Sequence, residues 1–109
     1  MNEHEFNRMV DQLMYNLEEV LDNCASDIDS ESSSGMLTLT VESNKSQIIL
    51  SRQVVSREIW LADTSGGFHF TLREGQWRDT QDNMRLEEKL EKAILAQANE
   101  RVVLNFSDL

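Results

Sequence analysis

From residue 36 to residue 77, apolar residues recur at every second position in short segments separated by only a few turn residues. Links that short cannot carry parallel crossovers, so the segments must pair as an antiparallel meander. In Met36 to Glu42 (MLTLTVE), Leu37, Leu39 and Val41 share one face, and β-branched Thr38 and Thr40 suit the other. Ser43-Asn44-Lys45 turns the chain into Gln47 to Arg52, where Ile48 and Leu50 lie opposite Ile49. Glu58 to Ala62 and Gly67 to Leu72 follow, and Glu74-Gly75 leads to a short fifth strand around Trp77.

On either side of this meander the period changes to 3.6. Phe6, Met9, Val10, Leu13, Leu17, Val20, Leu21 and Cys24 form one apolar stripe, which predicts a helix over residues 3–24. Asn2 and Glu5 supply an N-terminal cap signal. The stripe places Cys24, the single cysteine, on the buried face. Residues 25–35 lose the pattern and read as a loop. A second helix is predicted over 83–98, with Leu86, Leu90, Ala93, Ile94 and Gln97 on one face, Asp82 or Asn83 as cap, and Glu88 and Lys92 as a favourable pair. Val102, Val103, Leu104 and Phe106 are too apolar for a free tail and are expected to pack along the helices. At 109 residues the chain is expected to be a single domain, 1–109. The fold class is α+β: a two-layer α/β sandwich with two helices on one face of an antiparallel sheet, leaving the other face to solvent or a partner.

Charge narrows the function. The net charge is −10, a field that disfavours nucleic acid and anionic lipid and attracts cations and basic protein surfaces. The excess is local. Before residue 32 stand Glu3, Glu5, Asp11, Glu18, Glu19, Asp22, Asp27, Asp29 and Glu31 against Arg8 alone. Glu18 and Asp22 are four apart and Glu19 and Asp22 three apart, so like charges crowd one helical turn. Asp27, Asp29 and Glu31 alternate along an extended segment and point the same way. Oxygen ligands of this kind suit hard cations such as Fe²⁺, Fe³⁺, Mn²⁺, Mg²⁺ or Ca²⁺. A solvated face that keeps the protein soluble is the other reading of the same residues. The segment Asp27 to Glu31 lacks the pattern of a calcium-binding loop, and His4 near the terminus is an accessory ligand at most. No Ser-His-Asp set, phosphate-binding loop, HExxH or CxxC is present, so the chain is not expected to be an enzyme. His69 alternates with Phe68 and Phe70 and reads as a packing residue or one on the sheet surface. With no long apolar run and no leader-like opening, a cytoplasmic setting without membrane attachment is expected.

The most specific stretch is Ser51 to Phe70. Arg52-Gln53, then Glu58-Ile59-Trp60-Leu61-Ala62, then Gly66-Gly67-Phe68-His69-Phe70 resemble the sheet of bacterial frataxins, the CyaY family. The opening MNEHEFNRMVDQL and the later LEEVLDN are similar too, so the resemblance covers almost the whole chain. It departs at Ser51, where the family usually has Asn, and at Val54-Val55, where Pro is frequent. It departs again at Asn23, Cys24 and Ala25, which are less acidic than usual, so the number of metal sites is open.

The resemblance implies weak iron binding (Fe²⁺ or Fe³⁺, with other divalent cations possible) through an acidic ridge. That ridge would comprise Glu3, Glu18, Glu19, Asp22, Asp27, Asp29 and Glu31. It implies docking on a cysteine desulfurase and its iron–sulfur scaffold protein, and regulation of cluster assembly by a protein that is a monomer without iron. The partner-binding residues would be Arg52, Gln53 and Trp60, with Glu18, Glu19 and Asp22 meeting a basic patch. If the helices cover Ile59 and Leu61, Trp60 stands exposed beside Arg52 and Gln53; the alternative is a Trp packed beneath a loop. Trp77 is expected to close an edge of the sheet. A protein-interaction module with incidental metal binding, and more remotely a ferroxidase, are the competing functions.

Overall fold

The computed structural model describes residues 1–106. The chain runs α1 (Glu3–Cys24), β1 (Ile28–Ser33), β2 (Met36–Val41), β3 (Gln47–Gln53), β4 (Glu58–Asp63), β5 (Gly66–Arg73), β6 (Gln76–Asp79) and α2 (Leu86–Ala98). The six strands form one sheet in sequence order, each neighbour antiparallel. Tight turns make this order possible. Ser34-Gly35 and Glu74-Gly75 both carry two successive positive φ angles, the geometry that matches the twist of a two-residue hairpin.

Alternation decides which face is covered. Leu37, Leu39, Val41, Ile48, Leu50, Ile59, Leu61 and Phe70 are buried and join Phe6, Val10, Leu13, Leu17 and Leu21 of α1 and Leu86, Leu90 and Ile94 of α2 in one core. Both helices therefore lie on the same side of the sheet, as expected. Trp77, on edge strand β6, is buried and meets Phe6 edge-on, with ring centroids 6.1 Å apart. This contact pins the start of α1 to the β6 edge. Asn2 caps α1 as its sequence suggests, accepting the Glu5 N–H at 2.8 Å.

Four local expectations change. Residues 28–33 are a strand rather than a loop, paired with β2 from Ile28↔Val41 to Ser33↔Met36. Their sequence, IDSESS, offers only Ile28 to the core, so periodicity could not reveal them. As an edge strand they are guarded by Asp29 and Glu31, which discourage further pairing. Cys24 is exposed, and Ala25 takes the buried position in its stead. The chain leaves the helix at Ala25 with extended backbone, so the helical period no longer holds. The second helix begins at Leu86, not near 83, because Asn83 has φ +65° and cannot sit in a right-handed helix. Asp82 caps the preceding turn by accepting the Met84 N–H at 2.9 Å. Glu88 turns back to Arg85, accepting its backbone N–H at 3.2 Å and its Nε at 3.1 Å, rather than pairing with Lys92.

The segment after α2 packs as expected and shows how. Val102, Leu104 and Phe106 are buried while Val103 is exposed, so the tail is extended with period two. Glu87 and Glu91, one helical turn apart, accept the backbone N–H groups of Phe106 (3.4 Å) and Leu104 (2.8 Å). The carboxylates satisfy donors that would otherwise be lost against the core. Phe106→Ala should therefore lower stability by about 3 kcal/mol, read as a lower urea midpoint; an unchanged midpoint would mean that the tail contributes nothing to the core.

Candidate functional site

Two surfaces carry unusual chemistry. The first is the acidic corner. Glu19 and Asp22 are exposed and Glu18 half-buried near the C-terminal end of α1, whose last turn holds no base. Carboxylates here oppose the negative end of the helix dipole as well as each other. Tyr15 donates its hydroxyl to Glu19 at 3.2 Å, and that bond, reinforced by the Glu19 charge, pushes the phenol above its ordinary pKa. The short link from Ala25 to Asp27 carries the chain straight into β1, so Asp22 and Asp27 stay at one end of the molecule. Asp27 accepts the Ser43 hydroxyl at 2.6 Å. Asp29 and Glu31 are exposed and share a sheet face, opposite Thr40 and Thr38 rather than any base.

Not all of the expected ridge comes together. Glu3 lies in the first turn of α1, about 22 Å from Glu18 along the axis at 1.5 Å per residue. His4 shares that distant end. Among the described residues, no group of three His, Cys, Asp or Glu side chains converges as a metal cage would. The corner is an open carboxylate surface.

The second surface is the uncovered sheet face. Trp60 is 37% exposed there. It sits directly between Ser51 of β3 and His69 of β5. Its indole stacks on the His69 ring, with centroids 4.2 Å apart and planes within 7°. Its Nε1 donates to Glu58 at 2.8 Å. The ring is held on one face and at its N–H edge. Gln53 shares this side, opposite Glu58. Arg52 does not. Strand alternation sends it with Ile48 and Leu50 to the helix side, where its guanidinium meets Asp11 at 2.6 Å and Asn7 Oδ1 at 3.1 Å. The expectation of Arg52 beside Trp60 is corrected: Arg52 ties α1 to β3, and adjacent sheet residues point opposite ways.

A third cluster was not visible in the sequence. Lys89 of α2 reaches Asp82 at 2.7 Å and Asp79 at 3.4 Å, and its ammonium lies 4.1 Å from the centre of the Phe68 ring. The group borders a cavity of about 390 Å³ that reaches Gly67 and Gln81. Its members come from β5, the end of β6, the turn before α2 and α2 itself, so no local motif announces them. Burial acts to lower the Lys89 pKa, but the hydrogen bonds and charges of Asp82 and Asp79 outweigh it and hold the group above the ordinary value. The Lys89 hydrogen bond holds Asp82 below the ordinary carboxylate range, helped by the Met84 N–H. Glu88 is lowered too, first by the backbone N–H of Arg85 and then by its side chain.

Comparison with known proteins gives a consistent result. Residues 1–100 match the family model of the frataxin-like domain. A protein of Vibrio atlanticus named iron-sulfur cluster assembly protein CyaY is 44% identical over 102 residues, which span 94% of this chain and 97% of that protein. The structure of frataxin from Psychromonas ingrahamii superposes with a TM-score of 0.88 at 32% identity, covering 94% of this chain and 97% of that one. A trimeric frataxin of Saccharomyces cerevisiae, complexed with ferrous iron, matches with a TM-score of 0.64 at 31% identity over 83% of this chain and 85% of that one. Among the described residues no helix is long and apolar enough to cross a membrane.

Two outcomes follow from the charges. A lowered Asp82 pKa stabilises the fold above the ordinary aspartate value, about 3.9, and that contribution is lost as pH falls through the folded value. The raised Lys89 contributes below the ordinary lysine value, about 10.4, and its share is lost as pH rises through the still higher folded value. The melting-temperature deficit of Asp82→Asn should thus be present at neutral pH and close below about pH 3.9; a deficit that persisted in acid would mean the pair is not its source. At the acidic corner, the combined variant Glu18→Gln, Glu19→Gln, Asp22→Asn should melt higher than wild type at low salt, by about 0.5–1 kcal/mol of stability. Added salt should narrow the gap; equal melting curves at low salt would show that the corner is not under strain.

Proposed function

We propose, from the premise that this chain belongs to the frataxin-like domain family, that it is an iron-binding accessory protein of iron–sulfur cluster assembly. The observation that carries this reading is the crowding of Glu18, Glu19 and Asp22 at the negative end of α1 without a basic neighbour in the last turn. A cation bound there relieves mutual repulsion and complements the helix dipole together. Asp27, Asp29 and Glu31 extend the same negative field along β1. Iron is the cargo of this surface. An open set of carboxylates without thiolate or clustered imidazole favours a hard ion, bound weakly and exchangeably, and other divalent cations compete. Glu3 and His4 stand apart at the other end of α1 and lie outside this reading.

The partner in this reading is the cysteine desulfurase–scaffold complex of the cytoplasm. Trp60 and Gln53 present the uncovered sheet face to it, and the acidic corner meets a basic patch on it. Arg52 acts from beneath, keeping α1 and its carboxylates fixed against β3. The protein, a single domain and a monomer without iron, regulates assembly and performs no catalysis of its own. A second reading, an interaction module that carries metal only incidentally, is favoured by one observation: no three ligands converge among the described residues.

Anaerobic titration of the ¹⁵N-labelled protein with Fe²⁺ separates the two. Signal loss confined to Glu18–Asp22 and Asp27–Glu31, with the Trp60 indole unaffected, is expected. A spectrum unchanged at several-fold excess of Fe²⁺ would remove iron binding and leave the interaction module. Trp60→Ala should keep the Fe²⁺ response and weaken docking on the purified desulfurase–scaffold complex by at least about 10-fold, as for an aromatic hot spot.

A further inference from the structure

The Trp60–His69 stack has a geometric consequence for the rest of the uncovered face. The two residues lie directly opposite on adjacent strands, which are spaced about 4.8 Å apart. Rings with centroids 4.2 Å apart and nearly parallel planes must therefore stack across the strands. One indole face is taken by His69. The other looks toward β3, where the opposing residue is Ser51, and beyond Ser51 stands Met36 on β2. A small side chain between two large ones leaves a slot floored by Ser51 and walled by Trp60 and Met36. A cavity of about 150 Å³ opens beside Trp60 and Ser51, on the side of Ile49, Ala62 and Gly67, the neighbouring row along the strands, and His69 borders it too. Two strand spacings, roughly 9–10 Å between the flanking strands, leave room for one planar group against the indole.

We propose that this slot receives an arginine side chain of the partner protein, its guanidinium lying flat on the free face of Trp60. The proposal rests on the reading that the uncovered sheet face meets a partner, and adds what that partner presents. Three features select arginine. The free indole face attracts a cation, and a guanidinium is planar and weakly hydrated, so it stacks where a lysine ammonium does not. Glu58 uses one carboxylate oxygen on the indole N–H, and its second oxygen accepts no hydrogen bond from a described residue; it is free to take a guanidinium N–H. Asp29 and Glu31 share this sheet face with Arg73 and Arg78, and the net charge of −10 leaves the field of the whole chain favourable to a cation. Among the described residues no arginine borders this cavity. Arg52 lies on the opposite face with Asp11, and Arg78 donates to Gln76 and to the Asn83 carbonyl.

The capped peptides Ac-Gly-Arg-Gly-NH₂ and Ac-Gly-Lys-Gly-NH₂, titrated at equal ionic strength into the full-length ¹⁵N-labelled protein, test this. The arginine peptide should shift the Trp60 indole N–H and the amides of Ala62 and Gly67, leave buried Trp77 unmoved, and bind about 2–5-fold more tightly than the lysine peptide. Ser51→Phe, which fills an exposed slot without touching the core, should abolish the Trp60 shift, and Glu58→Gln should weaken it. Equal response to both peptides, shifts confined to the carboxylates of α1 and β1, no Trp60 shift at all, or an undiminished shift in a folded Ser51→Phe protein would each overturn the slot. Loss of docking in Trp60→Ala without arginine selectivity would sink this inference and leave the docking face standing.

Discussion

Burial of one sheet face beneath both helices is the constraint on which the rest depends. Leu37, Leu39, Ile48, Leu50, Ile59, Leu61 and Phe70 turn inward against α1 and α2, and the same alternation turns Met36, Ile49, Trp60 and His69 outward. A six-stranded sheet with helices on one side keeps a broad uncovered face. What covers it must come from outside the fold or be water. The exposed aromatic there is consequently a product of the core, because any register that buried Trp60 would expose Ile59 and Leu61.

Charged residues join the layers where apolar packing alone leaves the helix ends free to shift. Arg52 holds α1 to β3 through Asp11 and Asn7, and Lys89 holds α2 to the end of β6 through Asp79 and to the turn after it through Asp82. Both cations are mostly shielded by the protein, so their partners are needed to offset desolvation. Arg52 and Lys89 are thereby consumed by structure, while the carboxylates of the α1 end and β1 are left without bases.

The acidic corner and the sheet face are separate in chemistry but are joined on one side of the sheet by β1, whose Asp29 and Glu31 point to the same side as Trp60. On the function proposed above, the open carboxylate surface exchanges a bound cation readily, and the indole, held by His69 and Glu58, is ordered before a partner arrives. Pre-ordering of that kind reduces the entropy lost on docking.

Periodicity in the sequence by itself determined α1, the antiparallel meander, the inward face of each recognisable strand and the separation of acid from base. Those properties depend on residues a few positions apart, where the helical and strand periods speak directly. Tertiary structure alone decided that IDSESS is an edge strand, that Cys24 is exposed, that Glu3 stands away from the acidic corner, that Arg52 points to Asp11, and that Lys89 is held by Asp79 and Asp82. The polar edge strand has almost no apolar signal of its own and exists because β2 offers it a ladder. Arg52 and Asp11 are 41 residues apart, and their meeting depends on how α1 lies across the sheet. Local patterns state which side of an element is buried; which charged group lies opposite is settled only when elements dock.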